Sequence, residues 1–429
     1  MTYKETIKFL YNSLPTYHIH GEKAYKPNLD NINKFDILLK HPHKTYKSIH
    51  IGGTNGKGTT AHGISKILND NNIITGLYTS PHVKTFRERI IVSEKKITKK
   101  YVVSFIENHL KIINKIKPSF FEITTMMALS YFRFKKVDLA IIEVGLGGRL
   151  DSTNIISPLL SIITNVSLDH QNILGNDVKN IAKEKSGIIK NKSLFIKGEK
   201  QPNIDHIFEK SCVQLKTKFI KAYNEVKIKT LSKEINQRKI EINFNNVKTT
   251  MTIKQPTKYF LKNIPSILIS SKIILEYFNK NINEKSFLGL QNFNNNSKIL
   301  GRWYIHSMDP IIVSDACHNI DAFKNILNEL KSYNFKTIYF IIGGVENKSW
   351  NNIIKLLPTN IKYIISEPTN ERSISTKLLS KYFNKRNLDY IIINDVNKAI
   401  KHCKKLVKEK NDLIFIGGSF FLISDIHEK

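Results

Sequence analysis

At 429 residues the chain is long enough for two or three domains with substantial cores. Hydrophobic residues at 41% and charged residues at 24% are ordinary globular usage, which excludes wholesale disorder, and no apolar run approaches the roughly 18 residues of a membrane span. The 67 Lys and Arg against 36 Asp and Glu give +31, but the lysines are dispersed among Ile and Asn with no basic cluster interleaved with aromatics, so a composition bias explains them without a nucleic-acid site. Such a surface still attracts polyanions such as ATP.

In chain order, Met1-Thr2-Tyr3-Lys4-Glu5 lacks the apolar core of a signal peptide, which predicts a cytoplasmic protein away from the membrane. Ser48-Ile49-His50-Ile51 reads as a strand entering a glycine loop, followed by a helix from Thr59 to about Asn69. Val137–Val144 and Leu159–Asn165 are buried-strand candidates. From residue 192 to about 255, alternating segments such as Lys239–Phe244 and Val247–Ile253 predict a small β-rich part. A helix from roughly Ile264 to Asn279 precedes the polar run Asn292–Ser297, the expected linker. Beyond it, Ile311–Ser314, Thr337–Ile342, Tyr363–Ser366, Tyr390–Ile393 and Leu413–Ile416 alternate with helical stretches. The pattern predicts an α/β protein in which residues 1–297 form a P-loop ATPase-like domain with a mostly parallel sheet and 298–429 a smaller Rossmann-like domain. Cys212, Cys317 and Cys403 are far apart and form no C-x-x-C pair, which argues against a disulfide framework or a thiolate zinc site.

The strongest motif is Gly52-Gly53-Thr54-Asn55-Gly56-Lys57-Gly58-Thr59 between a predicted strand and helix. Glycines let backbone N–H groups close around phosphate oxygens, Lys57 can reach the β/γ-phosphates, and a Thr hydroxyl such as that of Thr59 can coordinate Mg²⁺. The alternative is a glycine turn with no ligand. Gly58, inserted between Lys57 and Thr59, departs from the usual G-K-[ST] ending.

With that insertion, the chain resembles the folate branch of the Mur ligase superfamily, the folylpolyglutamate synthase/dihydrofolate synthase family, along nearly its entire length. The resemblance rests on the phosphate loop, Thr79-Ser80-Pro81-His82, Glu88-Arg89-Ile90 and Phe121-Glu122-Ile123-Thr124-Thr125. It continues through Glu143-Val144-Gly145-Leu146-Gly147-Gly148-Arg149-Leu150-Asp151, Leu168-Asp169-His170, Glu184-Lys185-Ser186-Gly187-Ile188, Gly301-Arg302 and Asp315-Ala316-Cys317-His318-Asn319. It departs from the family pattern at Phe260, Ala316, Cys317, Ile320, Asn347 and Ser349, which puts adenine and domain-closure contacts in question.

Glu143 closes an apolar strand, where a carboxylate facing a phosphate loop suits Mg²⁺, although a solvated strand-end Glu would look the same. The resemblance implies that His170 holds a second Mg²⁺ together with Lys185, the latter carbamoylated because an ammonium cannot ligate a metal. Unmodified, Lys185 would be a phosphate-pairing charge. The family's nucleotide contacts map onto Gly53, Thr54, Asn55, Gly56, Lys57, Gly58, Thr59, Asn263, Arg302 and Asp315, with His318 near the transferred phosphoryl group. Its pterin side maps onto Ser80, His82, Phe121 and Asp151, of which Phe121 and Asp151 could equally be core and cap residues.

The implied reaction joins L-glutamate to dihydropteroate or tetrahydrofolate at the expense of ATP, through an acyl phosphate, by a monomer whose interdomain cleft excludes water. Two rivals remain at this stage. A Mur-type peptidoglycan ligase shares the loop but not Gly58 or the Glu143–Asp151 string, and a nucleic-acid-stimulated P-loop ATPase would need helicase-like motifs that are not found.

Overall fold

The buried runs become the centre of a sheet in the computed structural model, which describes residues 1–12, 28–254, 256–291, 293 and 301–427. These fall into two units, Met1–Ser297 and Lys298–Lys429. Of the expected linker Asn292–Ser297, all but Phe293 lies outside the described residues.

In the first unit eight strands form one sheet: β1 (Lys47–Gly52), β2 (Thr75–Tyr78), β3 (Ile90–Val92), β4 (Lys95–Lys96), β5 (Leu139–Glu143), β6 (Leu160–Ile163), β7 (Leu194–Lys197) and β8 (Lys218–Lys221). Their order is β4-β3-β2-β5-β1-β6-β7-β8, and only β3 and β4 run antiparallel to their neighbours. Both faces are covered, which is why β5 and β6 are buried throughout and read as continuous apolar runs rather than alternating ones. Ala140 and Ile142 pack with Phe35, Phe105, Met126 and Phe132, whereas Val144, Ile163 and Phe195 pack with Ile181 and Phe208. The register sets Ile51 opposite Glu143 and Gly52 opposite Ile163, so the phosphate loop, the strand-end carboxylate and the segment after β6 leave the sheet at its carboxyl edge.

The antiparallel part of this unit is smaller than expected. It comprises β9 (Val226–Lys233), β10 (Arg238–Phe244) and β11 (Val247–Ile253), whereas residues 194–221 extend the main sheet through β7 and β8. Four residues are too few to show a period, β8 lies half-exposed, and in β7 a lysine masks the burial; Lys197 is 0% exposed.

The second unit has a six-stranded sheet of β12 (Tyr304–Met308), β13 (Ile311–Asp315), β14 (Ile338–Ile342), β15 (Lys362–Ile365), β16 (Tyr390–Ile392) and β17 (Leu413–Gly417), ordered β12-β13-β17-β14-β15-β16. Only β12 is antiparallel. Phe340 and Phe415 meet edge to face at 4.9 Å in its core. Among the described residues of the chain, no helix is long and apolar enough to cross a membrane.

Candidate active site

Beyond β1 the loop depends on two glycines. Gly56 has φ +83°, and a Cβ there would lie 2.3 Å from Asn263 Oδ1; at Gly53, φ +140°, a Cβ would lie 1.9 Å from Thr164 Oγ1. The helix Lys57–Asp70 starts immediately after Gly56, so its unpaired first-turn N–H groups open onto the loop. The segment after β6 clamps the other side. Thr54 N donates to Asn165 O and Asn55 N to Asn165 Oδ1, both at 2.9 Å, and Thr164 Oγ1 donates to Asn55 O at 2.7 Å. Ser167 N donates to Thr54 Oγ1 at 3.0 Å.

Two cations converge on one oxygen of this loop. Lys57 Nζ donates to Gly53 O and Thr54 O, each at 3.1 Å, and Lys185 Nζ donates to the same Gly53 O at 2.9 Å. Lys185 comes from the last turn of the helix Val178–Ser186 and is 4% exposed. Burial, reinforced by the Lys57 charge, brings its amine down from 10.5 to about 7, against the pull of Asp169, Asp151 and Glu184. The lowered pKa makes the free amine, the form that reacts with carbon dioxide, accessible near neutral pH.

Glu143 is 4% exposed; its Oε2 accepts from Ser80 N at 3.0 Å and faces the Cβ-less side of Gly58, where a Cβ would sit 3.4 Å away. The carboxylate thus lies against the first helical turn at Gly58, where Thr59 is also buried. A carboxylate and a hydroxyl are hard oxygen donors that fit Mg²⁺. His170 begins the next helical turn in a left-handed conformation, its N–H donating to Asp169 Oδ1 at 3.0 Å.

The pterin-side residues divide. Phe121 lies in the first turn of the helix Phe120–Phe134, which Ser119 and Glu122 cap reciprocally, and its ring lies over Gly145, where a Cβ would meet Cζ at 2.4 Å. Asp151 is 4% exposed and accepts from Leu146 N and Thr153 N at 2.9 Å and from the Thr153 hydroxyl, the cap arrangement left open above. Burial raises its pKa against these hydrogen bonds. His82 Nδ1 accepts from Arg89 Nε at 2.8 Å, which leaves the proton of a neutral ring on Nε2, facing Tyr11 OH at 3.0 Å.

In the second unit, the Arg302 guanidinium lies 4.9 Å from the Phe420 ring centroid and the His318 ring 5.9 Å from it, while Asp315 Oδ2 accepts from Trp303 N at 2.8 Å. His318 Nδ1 donates to Ala316 O at 2.9 Å. Phe420 went unnoticed in the sequence; Gly417-Gly418-Ser419 just before it was the available signal. Asn165 closed a strand candidate and Asp169 stood in the Leu168-Asp169-His170 stretch, but neither was singled out as a site residue. Phe260, one of the departures, is 1% exposed and stacks on Phe293 at 5.3 Å, so this position serves the core.

Residues 51–269 match the Mur ligase middle domain and residues 301–420 the Mur ligase glutamate ligase domain. The dihydrofolate synthase/folylpolyglutamate synthase of Buchnera aphidicola subsp. Schizaphis graminum is 31% identical over 87% of this chain and 86% of its own length. That of Bacillus subtilis is 29% identical over 96% and 97%. The crystal structure of Thermotoga maritima folylpolyglutamate synthase superposes with a TM-score of 0.81 at 30% identity, covering 98% of this chain and 95% of that one.

Proposed function

The chain belongs to the dihydrofolate synthase/folylpolyglutamate synthase family, and from that premise we propose that it is an ATP-dependent ligase joining the amino group of L-glutamate to the carboxylate of dihydropteroate, of tetrahydrofolate, or of both. The observation that carries the reading is the convergence of Lys57 and Lys185 on Gly53 O, with Glu143 beside the same helix start.

The substrate carboxylate attacks the γ-phosphorus of ATP, the β–γ bridging bond breaks, and ADP leaves with the electron pair. The glutamate amine then attacks the acyl carbon of the resulting acyl phosphate, inorganic phosphate departs, and the amine proton passes to solvent. Lys57 moves from the loop carbonyls to the bridging oxygen, where charge accumulates during transfer. The loop N–H groups and the start of the helix Lys57–Asp70 hold the β-phosphate. Thr59 and Glu143 would hold one Mg²⁺, which supplies charge neutralisation on the phosphates when bound. His170, with Asp169 next to it and Lys185 as a carbamate, would hold a second; the lowered amine pKa and the burial of Lys185 support the modification. Phe121, whose ring lies over Gly145 in the loop that Asp151 caps, offers a face for the flat pterin, and within the second unit Arg302 and His318 flank the Phe420 ring.

The deciding experiment measures ADP release and amide formation with ATP and L-glutamate, offering dihydropteroate and tetrahydrofolate separately. Turnover with either acceptor identifies the substrate. ADP release that depends on neither acceptor nor glutamate refutes the reading.

A further inference from the structure

At the amino edge of the first sheet, opposite the phosphate loop, three metal-ligating side chains meet in one turn. The helix Asp30–Leu38 ends there, Lys40 and His41 adopt left-handed conformations, and a short 3-10 helix, Pro42–Thr45, leads into β1. His41 N donates to Asp36 O at 2.9 Å, which folds the turn back onto the helix end. The result is Asp36 with His41 Nδ1 at 2.5 Å and His43 Nε2 at 3.2 Å from its Oδ2, all ligand atoms within 4.8 Å of one another.

We propose that Asp36, His41 and His43 form a binding site for a divalent transition-metal ion of the zinc class, separate from the Mg²⁺ chemistry at the carboxyl edge. Two imidazoles and one carboxylate are a donor set for Zn²⁺, Co²⁺ or Ni²⁺, whereas Mg²⁺ and Ca²⁺ prefer oxygen throughout. Asp36 Oδ1 is buried with no hydrogen-bond partner among the described residues, so the buried carboxylate's charge is met only at Oδ2, where the two imidazoles converge and a cation would add to the compensation. The end of a helix, with its negative partial charge, also favours a cation here.

The turn is held from outside. Arg133 Nη1 donates to Leu39 O at 3.0 Å and Tyr46 OH to Leu129 O at 2.9 Å, which fasten both sides of the cluster to the helix Phe120–Phe134. Metal bonds of about 2.0–2.2 Å place neighbouring donors about 3.3 Å apart, a span that His43 and Asp36 already have. His41 must withdraw slightly, and with its side chain 37% exposed it is the member free to do so and the side from which water supplies a fourth ligand. Binding displaces the Nδ1 proton of His41 and the Nε2 proton of His43. Because the cluster sits where the chain enters β1 and far from Gly53, its role is to fasten the helix Asp30–Leu38 to the sheet.

The test uses tag-free full-length protein stripped with EDTA and then held in excess Mg²⁺. Zn²⁺ affinity is measured by competition with a chromophoric chelator, and Co²⁺ is added separately to read its d–d absorption. The expected result is one equivalent bound, a tetrahedral Co²⁺ band, and a Zn²⁺-dependent rise in melting temperature, with affinity weakened by at least roughly tenfold in His41→Ala. Because His41 lies in a left-handed turn, His41→Asn, a residue type that tolerates that conformation and ligates Zn²⁺ poorly, is the second variant and should weaken binding alike; His43→Ala should do so where it folds. Unchanged affinity in His41→Ala, or no binding by the parent protein, overturns the proposal.

Discussion

Replacing Lys185 with Met should make the unliganded protein more stable while removing its activity. The unfolded chain holds this amine at 10.5 and the folded one at about 7, a difference of about 5 kcal/mol at about 1.36 kcal/mol per tenfold. The sign follows from proton counting: between pH 7 and 10.5 the unfolded state holds a proton that the folded state has lost, so stability rises with pH across that window. Below pH 7 the folded state carries the full cost of a buried ammonium. Methionine matches the length of the stem and removes the charge, but it also removes a donor to Gly53 O worth about 1–2 kcal/mol, although Lys57 continues to serve that oxygen. The net gain expected for Lys185→Met is therefore about 3 kcal/mol at pH 6, shrinking to within about 1 kcal/mol near pH 9. Both tryptophans, Trp303 and Trp350, lie in the second unit, so their fluorescence reports the wrong half of the chain. Hydrogen exchange of β1 and β5 amides, without nucleotide and in bicarbonate-free buffer, reads the relevant unit. A parent protein as stable as the variant at pH 6, or a gap that widens with pH, would refute the reasoning.

Lys57→Ala should lower ligase turnover by roughly a thousandfold or more with an unchanged circular-dichroism spectrum, because among the described residues the side chain's hydrogen bonds go to the loop carbonyls rather than to the core; near-normal turnover removes the phosphate-loop assignment. Gly56→Ala combines a left-handed backbone with a Cβ 2.3 Å from Asn263 Oδ1 and should cost at least about 1–2 kcal/mol of stability as well as nucleotide binding, read by urea unfolding and by calorimetry with an ATP analogue. Asp151→Ala strands the Leu146 and Thr153 N–H groups, so a loss of about 2–4 kcal/mol and parallel weakening of both ligands are expected; a loss confined to pteroate would show direct contact with the pterin. Lys185→Ala should be inactive and partly restored by short carboxylic acids, and mass measurement under bicarbonate should find a carbamate on the parent; an active enzyme with an unmodified lysine sinks the second-metal assignment.

The phosphate loop was legible from its glycines, β1 because it runs into that loop, and β5 and β6 as short, largely apolar runs, β5 closing on Glu143. β2 was not, since Thr75-Gly76-Leu77-Tyr78 is short and its Gly76 lowers strand propensity; the glycine is there because a Cβ would lie 2.5 Å from Phe132. Lys197 misled the reading of β7 because burial of a lysine depends on partners elsewhere in the chain, here Glu199 O and Gln201 Oε1, each at 2.8 Å. The same limit explains the candidate site. Lys185 was identifiable as an odd charge in a matching motif, but its shared oxygen with Lys57 is a tertiary fact, and so is the use of Asn165 as a strut beneath Asn55. At Asp151 the resemblance implied a pterin contact and left a cap role open, and the backbone N–H groups of its own loop bond the carboxylate as a cap does.

The clamp between Thr54–Asn55 and Thr164–Ser167 also bears on how such chains can be shuffled. More than a hundred residues of sequence separate its two halves, yet three of its bonds depend on particular side chains, Asn165 Oδ1, Thr164 Oγ1 and Thr54 Oγ1, drawn from both halves. A crossover between positions 60 and 160 in a chimaera of two homologues would pair a loop from one parent with a strut from the other. Functional recombinants should therefore cluster at breakpoints that inherit both halves together, and libraries built by gene shuffling should show a gap across that interval.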